Sequence, residues 1–347
     1  MSSETKSEFG TKSAWLYNRT GKPKDVLYLE KGLHIPNPAE LGPYDVLVEV
    51  VATSINPLDY KLMNTYQMIA KALFKLPNIP GYDFAGRVLA VGSEVKEFSA
   101  TQRVWGCQSF PRAGRQGGSC ATHIVTGDKD VWHLPDGVSF NEGAGFGIAG
   151  LTAWEVLVRQ MKVKPGTKLV IEGASGGVGT FAVALAKALE CEVTTISSTE
   201  NLDLCKSLGA THTLDYKKDN LVERLADLGP YDFVFDCVND NVLYRASSKF
   251  VKPDGAFFGI GGDITLSYVG SRLSRTLRPR VLGGSSHSYY NILLHVDQEM
   301  LRDFVDFVMK HNIKTVIDSV YDFEDTVEAF NRLMTHRCKG KVIIKTD

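Results

Sequence analysis

The sequence predicts a doubly wound α/β domain with a parallel sheet, inserted within a discontinuous, β-rich domain. Three observations carry this. Lys168-Leu-Val-Ile-Glu-Gly-Ala-Ser-Gly-Gly-Val-Gly179 runs directly into Thr180-Phe-Ala-Val-Ala-Leu-Ala-Lys-Ala-Leu189, a strand, a glycine turn and a helix in succession. Strand-like runs recur at Val193 to Ile196, Phe233 to Phe235, Ala256 to Ile260 and Val281-Leu282, with helical segments between them. The N-terminal third is mainly β, and Gly340-Lys-Val-Ile-Ile344 reads as a strand after the last helix, which must pair somewhere.

The central motif sets the chemistry. Leu169, Val170 and Ile171 suit a strand buried on both faces, and Phe181 to Leu189 is apolar almost all round, so this helix must lie against a sheet. Gly173, Gly176, Gly177 and Gly179 allow close backbone approach, so amides at the helix start can face a pyrophosphate. The first glycine of the G-x-G-x-x-G pattern is Ala174 here. The flanking architecture, more than the short motif, therefore identifies a dinucleotide turn.

In chain order, Ala14 to Tyr17 and Val46 to Ala52 look like strands, separated by a stretch holding Pro23, Pro36, Pro38 and Pro43. Pro57 fixes φ and Asp59 is placed to begin a helix through Leu62 and Met63. Ile79 to Gly92 reads as a bent strand bracketed by glycines, and Arg103 to Gly106, Cys120 to Val125 and Trp132 to Pro135 continue the β pattern. From Asn141 the chain turns Gly/Ala-rich and helical, with Leu151 to Gln160 preceding the dinucleotide strand. Glu299 to Lys310 and Asp325 to Met334 read as amphipathic helices. The expected division is residues 1–140 with 290–347 for the β-rich domain and 141–289 for the dinucleotide domain.

A length of 347 residues accommodates two cores, and a net charge of -1 offers no electrostatic argument for nucleic acid or an acidic membrane surface. A small-molecule partner is expected, with no membrane span. Six cysteines without a C-x-x-C pair suit reduced thiols, and the N-terminal stretch resembles neither a signal nor a transit peptide, so a cytoplasmic protein is expected.

Asn56-Pro-Leu-Asp59, Pro80-Gly-Tyr-Asp-Phe-Ala-Gly86, Gly150-Leu-Thr-Ala153, Gly173-Ala-Ser-Gly-Gly-Val-Gly179 and Gly340-Lys-Val-Ile-Ile344, in this order, resemble the medium-chain dehydrogenase/reductase superfamily. They look most like its zinc-free quinone oxidoreductase branch, near zeta-crystallin, enoyl reductases and reticulon-4-interacting-protein-like members. The resemblance implies a GroES-like catalytic domain split around a Rossmann domain of strand order 3-2-1-4-5-6, and a homodimer. Three departures touch local turns. The family's Gly-Asp-Arg-Val is Thr101-Gln-Arg-Val104, its Asp-x-Val-Gly-Gly is Asp236-Cys-Val-Asn-Asp240, and a glycine expected around Asn64-Thr65 is missing.

At the three ligand positions of zinc-dependent relatives stand Asn56, Tyr82 and Ala144, and the lobe for a structural zinc holds only Cys107 and Cys120, so no metal is expected. The cofactor expected is NADPH. The second strand ends in Ser197-Ser-Thr199, hydroxyls without the carboxylate of an NAD site, while Glu200 comes late. By resemblance Tyr216 falls at the 2′-phosphate, beside Lys217 and Lys218, although Asn201 stands where relatives often place a basic residue. The expected cofactor contacts are Thr152, Ser175, Gly176, Gly177, Val178, Gly179, Ser197, Ser198, Tyr216, Cys237, Val238, Gly259 and Ile260.

Lacking a Lewis acid, the chain suits reduction of quinones or of the C=C of α,β-unsaturated carbonyl compounds, which needs hydride delivery and modest hydrogen-bond donation. Candidate donors are Asn56, Tyr60 and Tyr66, because the Asn-Pro-x-Asp turn takes the metal-site position of zinc-dependent relatives. Each has a structural alternative: Asn56 can serve the turn alone, and the tyrosines can fill core. Asp83 reads as a structural carboxylate paired with a backbone amide or a C-terminal Lys, over the alternative of a catalytic acid, and Cys237 as wall of the cofactor crevice, over the alternative of a nucleophile. Met63, Tyr66, Met68 and Tyr289-Tyr290 are candidates for an apolar pocket. The competing reading is an NADPH-binding regulatory or sensor protein without catalysis.

Overall fold

The computed structural model describes residues 7–64, 76–109, 117–239, 241–260 and 287–346. β1 (Thr11–Tyr17) and β2 (Leu27–His34) form an antiparallel pair. β3 (Asp45–Ile55), β4 (Asp83–Val91), β5 (Arg103–Cys107), β6 (His123–Gly127) and β7 (Val131–His133) build the first large sheet. β3 is its hub, antiparallel to both β4 and β6, and its Val46, Val48 and Val50 share a core with Phe84, Val88, Val104 and Ile124. β4 bends across it where only glycine fits: a Cβ at Gly86 would lie 2.0 Å from the Glu49 carbonyl oxygen.

β8 (Lys168–Glu172), β9 (Glu192–Ser197), β10 (His212–Asp215), β11 (Tyr231–Asp236), β12 (Val251–Gly259) and β13 (Ser288–Asn291) form a parallel sheet in the order β10-β9-β8-β11-β12-β13. This is the 3-2-1-4-5-6 order of a doubly wound domain. The expected strand at Val281-Leu282 lies outside the described residues, and the sixth described strand is β13. Helix Gly177–Ala188 buries Phe181, Ala182, Val183, Leu185 and Ala186, burial on most of its faces as its composition demands, with Lys187 exposed. Leu151 to Gln160 is helical as expected but irregular: one α turn, Leu151–Trp154, widens into a π turn, Glu155–Gln160.

β14 (Ile317–Asp322) and β15 (Lys341–Lys345) complete the first sheet, β15 lying antiparallel to β3 with Val342 opposite Ile55. Helix Thr326–Met334 adds Ala329, Phe330 and Leu333 to the same core. The chain divides into Met1–Ile148 with His295–Asp306 and Ile317–Asp347, and Ala149–Leu294 with Phe307–Val316. The first break falls after residue 140 because helix Phe140–Gly145 packs on β3 and β4 and holds that segment to the first unit.

Candidate functional site

In the second unit the candidate residues collect along the carboxyl edge of the parallel sheet. After β8, Gly173 takes φ +71, and the Gly173 and Ala174 amides both donate to the Ile196 carbonyl at 3.2 Å, tying the loop to β9. The Gly176 amide donates to Gly173 at 3.1 Å, and the helix's own bonding begins with Thr180 N to Gly176 O at 2.9 Å. The amides of Gly177, Val178 and Gly179 thus point out of the helix start with no intrahelical acceptor. Glycine serves two purposes here. A Cβ at Gly179 would lie 2.3 Å from Gly173 O and 2.6 Å from Ala174 Cα, whereas one at Gly176 would meet only Gly173 O, at an ordinary 3.5 Å. The loop is closed beneath and open above, and an open, amide-lined face at a positive helix end fits a pyrophosphate.

The neighbouring strands finish the edge. Asp236, ending β11, accepts from the Val238 amide at 2.9 Å, the Asn239 amide at 2.5 Å and the Tyr289 hydroxyl at 2.8 Å. The Cys237 amide donates to Glu172 O at 3.2 Å, and burial pushes its thiol well up, with the Asp236 and Glu172 charges adding. A thiol so held stays protonated and serves as wall. Gly259, ending β12, leaves room for the Tyr289 hydroxyl, which a Cβ would approach to 1.9 Å, and the Ile260 amide donates to Asp236 O at 3.1 Å. Thr152 is buried on the helical turn that packs against helix Gly177–Ala188.

At the end of β9, Ser197 is buried, and the Tyr216 amide donates to its carbonyl at 3.1 Å, bringing the loop after β10 alongside. Tyr216 is 56% exposed. Asn201 turns its amide to the Ser175 hydroxyl at 2.9 Å. Lys217 donates to both carboxylate oxygens of Glu200, at 2.7 and 3.0 Å. Sequence reasoning set Glu200 aside and missed this pair, since no spacing rule joins a turn after one strand to a loop after the next.

In the first unit Asn56, Asp83 and Lys341 meet in the interior. The Asn56 backbone amide donates to Asp59 at 2.6 Å, starting helix Pro57–Met63. Its side chain donates to Asp83 Oδ2 at 2.8 Å, while its Oδ1 accepts from Lys341 Nζ at 2.5 Å. Lys341 also reaches Asp83 at 3.3 Å and Ile55 O at 3.4 Å. Asp83 further accepts from the Ser54 hydroxyl at 2.8 Å and the Ile148 amide at 2.7 Å. Gly147 makes this approach possible, since a Cβ there would lie 2.1 Å from Asp83 Oδ1. Asn56 is 4% exposed, so both ends of its amide serve the interior. Burial raises the Asp59 carboxyl to about 7, against the lowering bond from the Asn56 amide.

Tyr60 packs edge-on to His336 at 6.3 Å and against the core, and Tyr66 and Met68 lie outside the described residues. Two expected pocket residues are corrected. Met63 is fully buried core, and Tyr289 is buried beside Phe257 with its hydroxyl on Asp236, because each completes a core cluster. Tyr290, by contrast, is 49% exposed.

Comparison with known proteins agrees with this geometry. Residues 42–167 match the alcohol dehydrogenase GroES-like domain family, and residues 208–344 a family described as zinc-binding dehydrogenase. A trans-enoyl reductase of Aspergillus terreus is 31% identical over 97% of this chain and 97% of its own. The chain belongs to the medium-chain dehydrogenase/reductase superfamily. Within it, the chloroplastic NADPH-dependent alkenal/one oxidoreductase of Arabidopsis thaliana is 29% identical over 95% of this chain and 78% of its own. The quinone oxidoreductase structure from Coxiella burnetii superposes with TM-score 0.82 at 27% identity, covering 97% of this chain and all of the other. These place the chain in the superfamily's quinone-oxidoreductase and enoyl-reductase branch, a branch of oxidoreductases.

The zinc in one family description does not fit the residues present. Asn56 spends its oxygen on the Lys341 ammonium, Ala144 has no donor, and burial raises the Tyr82 phenol, disfavouring a phenolate. Among the described residues no group of three or more His, Cys, Asp or Glu is placed to hold a metal ion. Among them too, no helix is long and apolar enough to cross a membrane.

Proposed function

We propose that the protein is an NADPH-dependent reductase of quinones or of the C=C of α,β-unsaturated carbonyl compounds, working without zinc. The observation that carries the reading is the open, amide-lined turn at Gly176–Gly179 on the carboxyl edge of the parallel sheet, in a chain of this branch. The relatives' names, an enoyl reductase, an NADPH-dependent alkenal/one oxidoreductase and a quinone oxidoreductase, supply the substrate class. NADPH, when bound, supplies the hydride. The amides of Gly177, Val178 and Gly179 hold its pyrophosphate. Ser197, Ser198 and Tyr216 hold the 2′-phosphate, and Ser175, Gly176, Thr152, Cys237, Val238, Gly259 and Ile260 line the rest.

Asn56 is assigned to positioning through the Asp83–Lys341 cluster, because its amide is spent there, and Tyr60 and Tyr66 are the proposed donors to the substrate oxygen. The commitment of Asn56 also favours, as a second reading, a protein that binds NADPH without turnover. We further propose a cytoplasmic homodimer, joined along β13, one of the two outer strands of its sheet among the described residues, where Tyr290 and, just beyond the strand, Leu293 are 49% and 83% exposed.

The test is a spectrophotometric NADPH-consumption screen over ortho-quinones, enals, enones and enoyl thioesters, before and after dialysis against a chelator. Turnover that survives the chelator supports the reading, and zinc-restorable loss removes its metal-free part. Binding without turnover on any acceptor puts the non-catalytic protein in its place. Sedimentation of the purified chain at twice the monomer mass supports the dimer, and a monomer at micromolar concentration removes it.

A further inference from the structure

The 2′ corner of the cofactor edge carries a charge arrangement that the end of β9 alone does not reveal. Lys217 is the cation placed to meet a 2′-phosphate there, since it follows Tyr216, whose amide is bonded to Ser197 O. Its ammonium is gripped by both oxygens of Glu200, at 2.7 and 3.0 Å. Glu200 comes from the short turn Thr199–Asn201 directly after β9, so it approaches from the strand that ends in Ser197. The other carboxylates of the corner hydrogen-bond to backbone amides and to a hydroxyl. Asp215 accepts from the Lys217 amide at 2.9 Å and from the Thr199 hydroxyl, and Asp219 accepts from the Asp215 amide at 2.7 Å. Glu200 is thus the carboxylate hydrogen-bonded to the Lys217 ammonium, with the Asp215 charge also near it.

We propose that the Glu200–Lys217 ion pair tunes cofactor choice: Glu200 competes with the 2′-phosphate for the Lys217 ammonium, so the chain prefers NADPH over NADH less than its hydroxyls and lysines would otherwise dictate. The inference rests on the NADPH reading above. A phosphate with charge near -2 outbids a carboxylate for an ammonium only after that ion pair opens, and its approach also brings like charge toward Glu200. NADH, with a neutral 2′-hydroxyl, leaves the pair closed and meets neither cost. The Lys217 hydrogen bond is the leading cause holding the Glu200 carboxyl down at about 2, so the competitor is ionised throughout the physiological range.

The experiment is fluorescence titration of NADPH and NADH into wild type, Glu200→Gln and Lys217→Met, at low and moderate salt. Both side chains stand partly in water, so both variants are expected to fold, with thermal unfolding as the check. Glu200→Gln should tighten NADPH roughly two- to fivefold, the range of an exposed ion pair, and leave NADH unchanged. Lys217→Met should weaken NADPH roughly tenfold or more and spare NADH. A Glu200→Gln protein whose ratio of NADPH to NADH dissociation constants matches wild type overturns the inference while the cofactor reading stands. A wild type that binds neither nucleotide overturns both.

Discussion

Thr101 stands where this family carries glycine, and it keeps the glycine's backbone, with φ +73. Its amide donates to Val88 O at 2.8 Å, which pins the turn although a β-branched side chain disfavours it. Asn239, another such departure, has φ +72, but Asn tolerates that region and its side chain donates to Ile260 O at 2.9 Å. Thr101→Gly should therefore stabilise the protein by about 1 kcal/mol, and a lower urea midpoint would refute this. The buried cluster argues the opposite way. With Asp83 0% and Lys341 2% exposed, Lys341→Met leaves a buried carboxylate without its cation and should cost roughly 3–5 kcal/mol. Urea unfolding measures it, and a loss under about 1 kcal/mol would show the cluster to be energetically neutral. Asp83 was legible in sequence as a carboxylate bound to a backbone amide or a C-terminal Lys, and both partners are present in Ile148 and Lys341.

Among the elements, the glycine turn separates folding from binding. Gly176 has φ -78 and ψ 179, open to any residue, with no severe contact for an added Cβ. Gly179 would drive a Cβ into backbone. Gly176→Val should leave stability within about 0.5 kcal/mol yet weaken NADPH more than roughly tenfold by filling the open face. Gly179→Ala should cost roughly 1–3 kcal/mol. Titration and thermal unfolding of the two proteins distinguish them, and equal effects on both readouts would discard the distinction. Sequence reading missed β2, β10, β13 and β14, and for β2 and β14 the reason is the same. β2, with Glu30, Lys31 and His34 exposed, and β14, with Val320 and Asp322 exposed and the rest part-buried, show no alternating or continuous apolar signal. Pairing to β1 and β15, not side-chain pattern, makes them strands.

For the whole molecule, Asp59 links stability to pH. Its ordinary value of 3.8 is raised to about 7 in the folded state, so the folded protein keeps a proton that the unfolded chain releases above about pH 4. The stability from this group is full below about pH 4, falls as pH rises, and is gone beyond about 7. The margin of wild type over Asp59→Asn in urea should accordingly be larger at pH 5 than at pH 8, and a pH-independent margin would contradict the raised carboxyl. What the sequence by itself determined is local: the strand, glycine turn and helix around Gly173–Gly179, the hydroxyls ending β9, and residues at the zinc positions that make a poor ligand set. These follow from backbone freedom and side-chain chemistry within short windows. Tertiary structure alone decided the partners. Register sets Val342 opposite Ile55, which brings Lys341 to Asn56 across 285 residues, and parallel pairing of β9 with β10 brings Lys217 to Glu200. Such meetings depend on which strands pair and in what register, a choice made by burial of whole faces that no local pattern encodes.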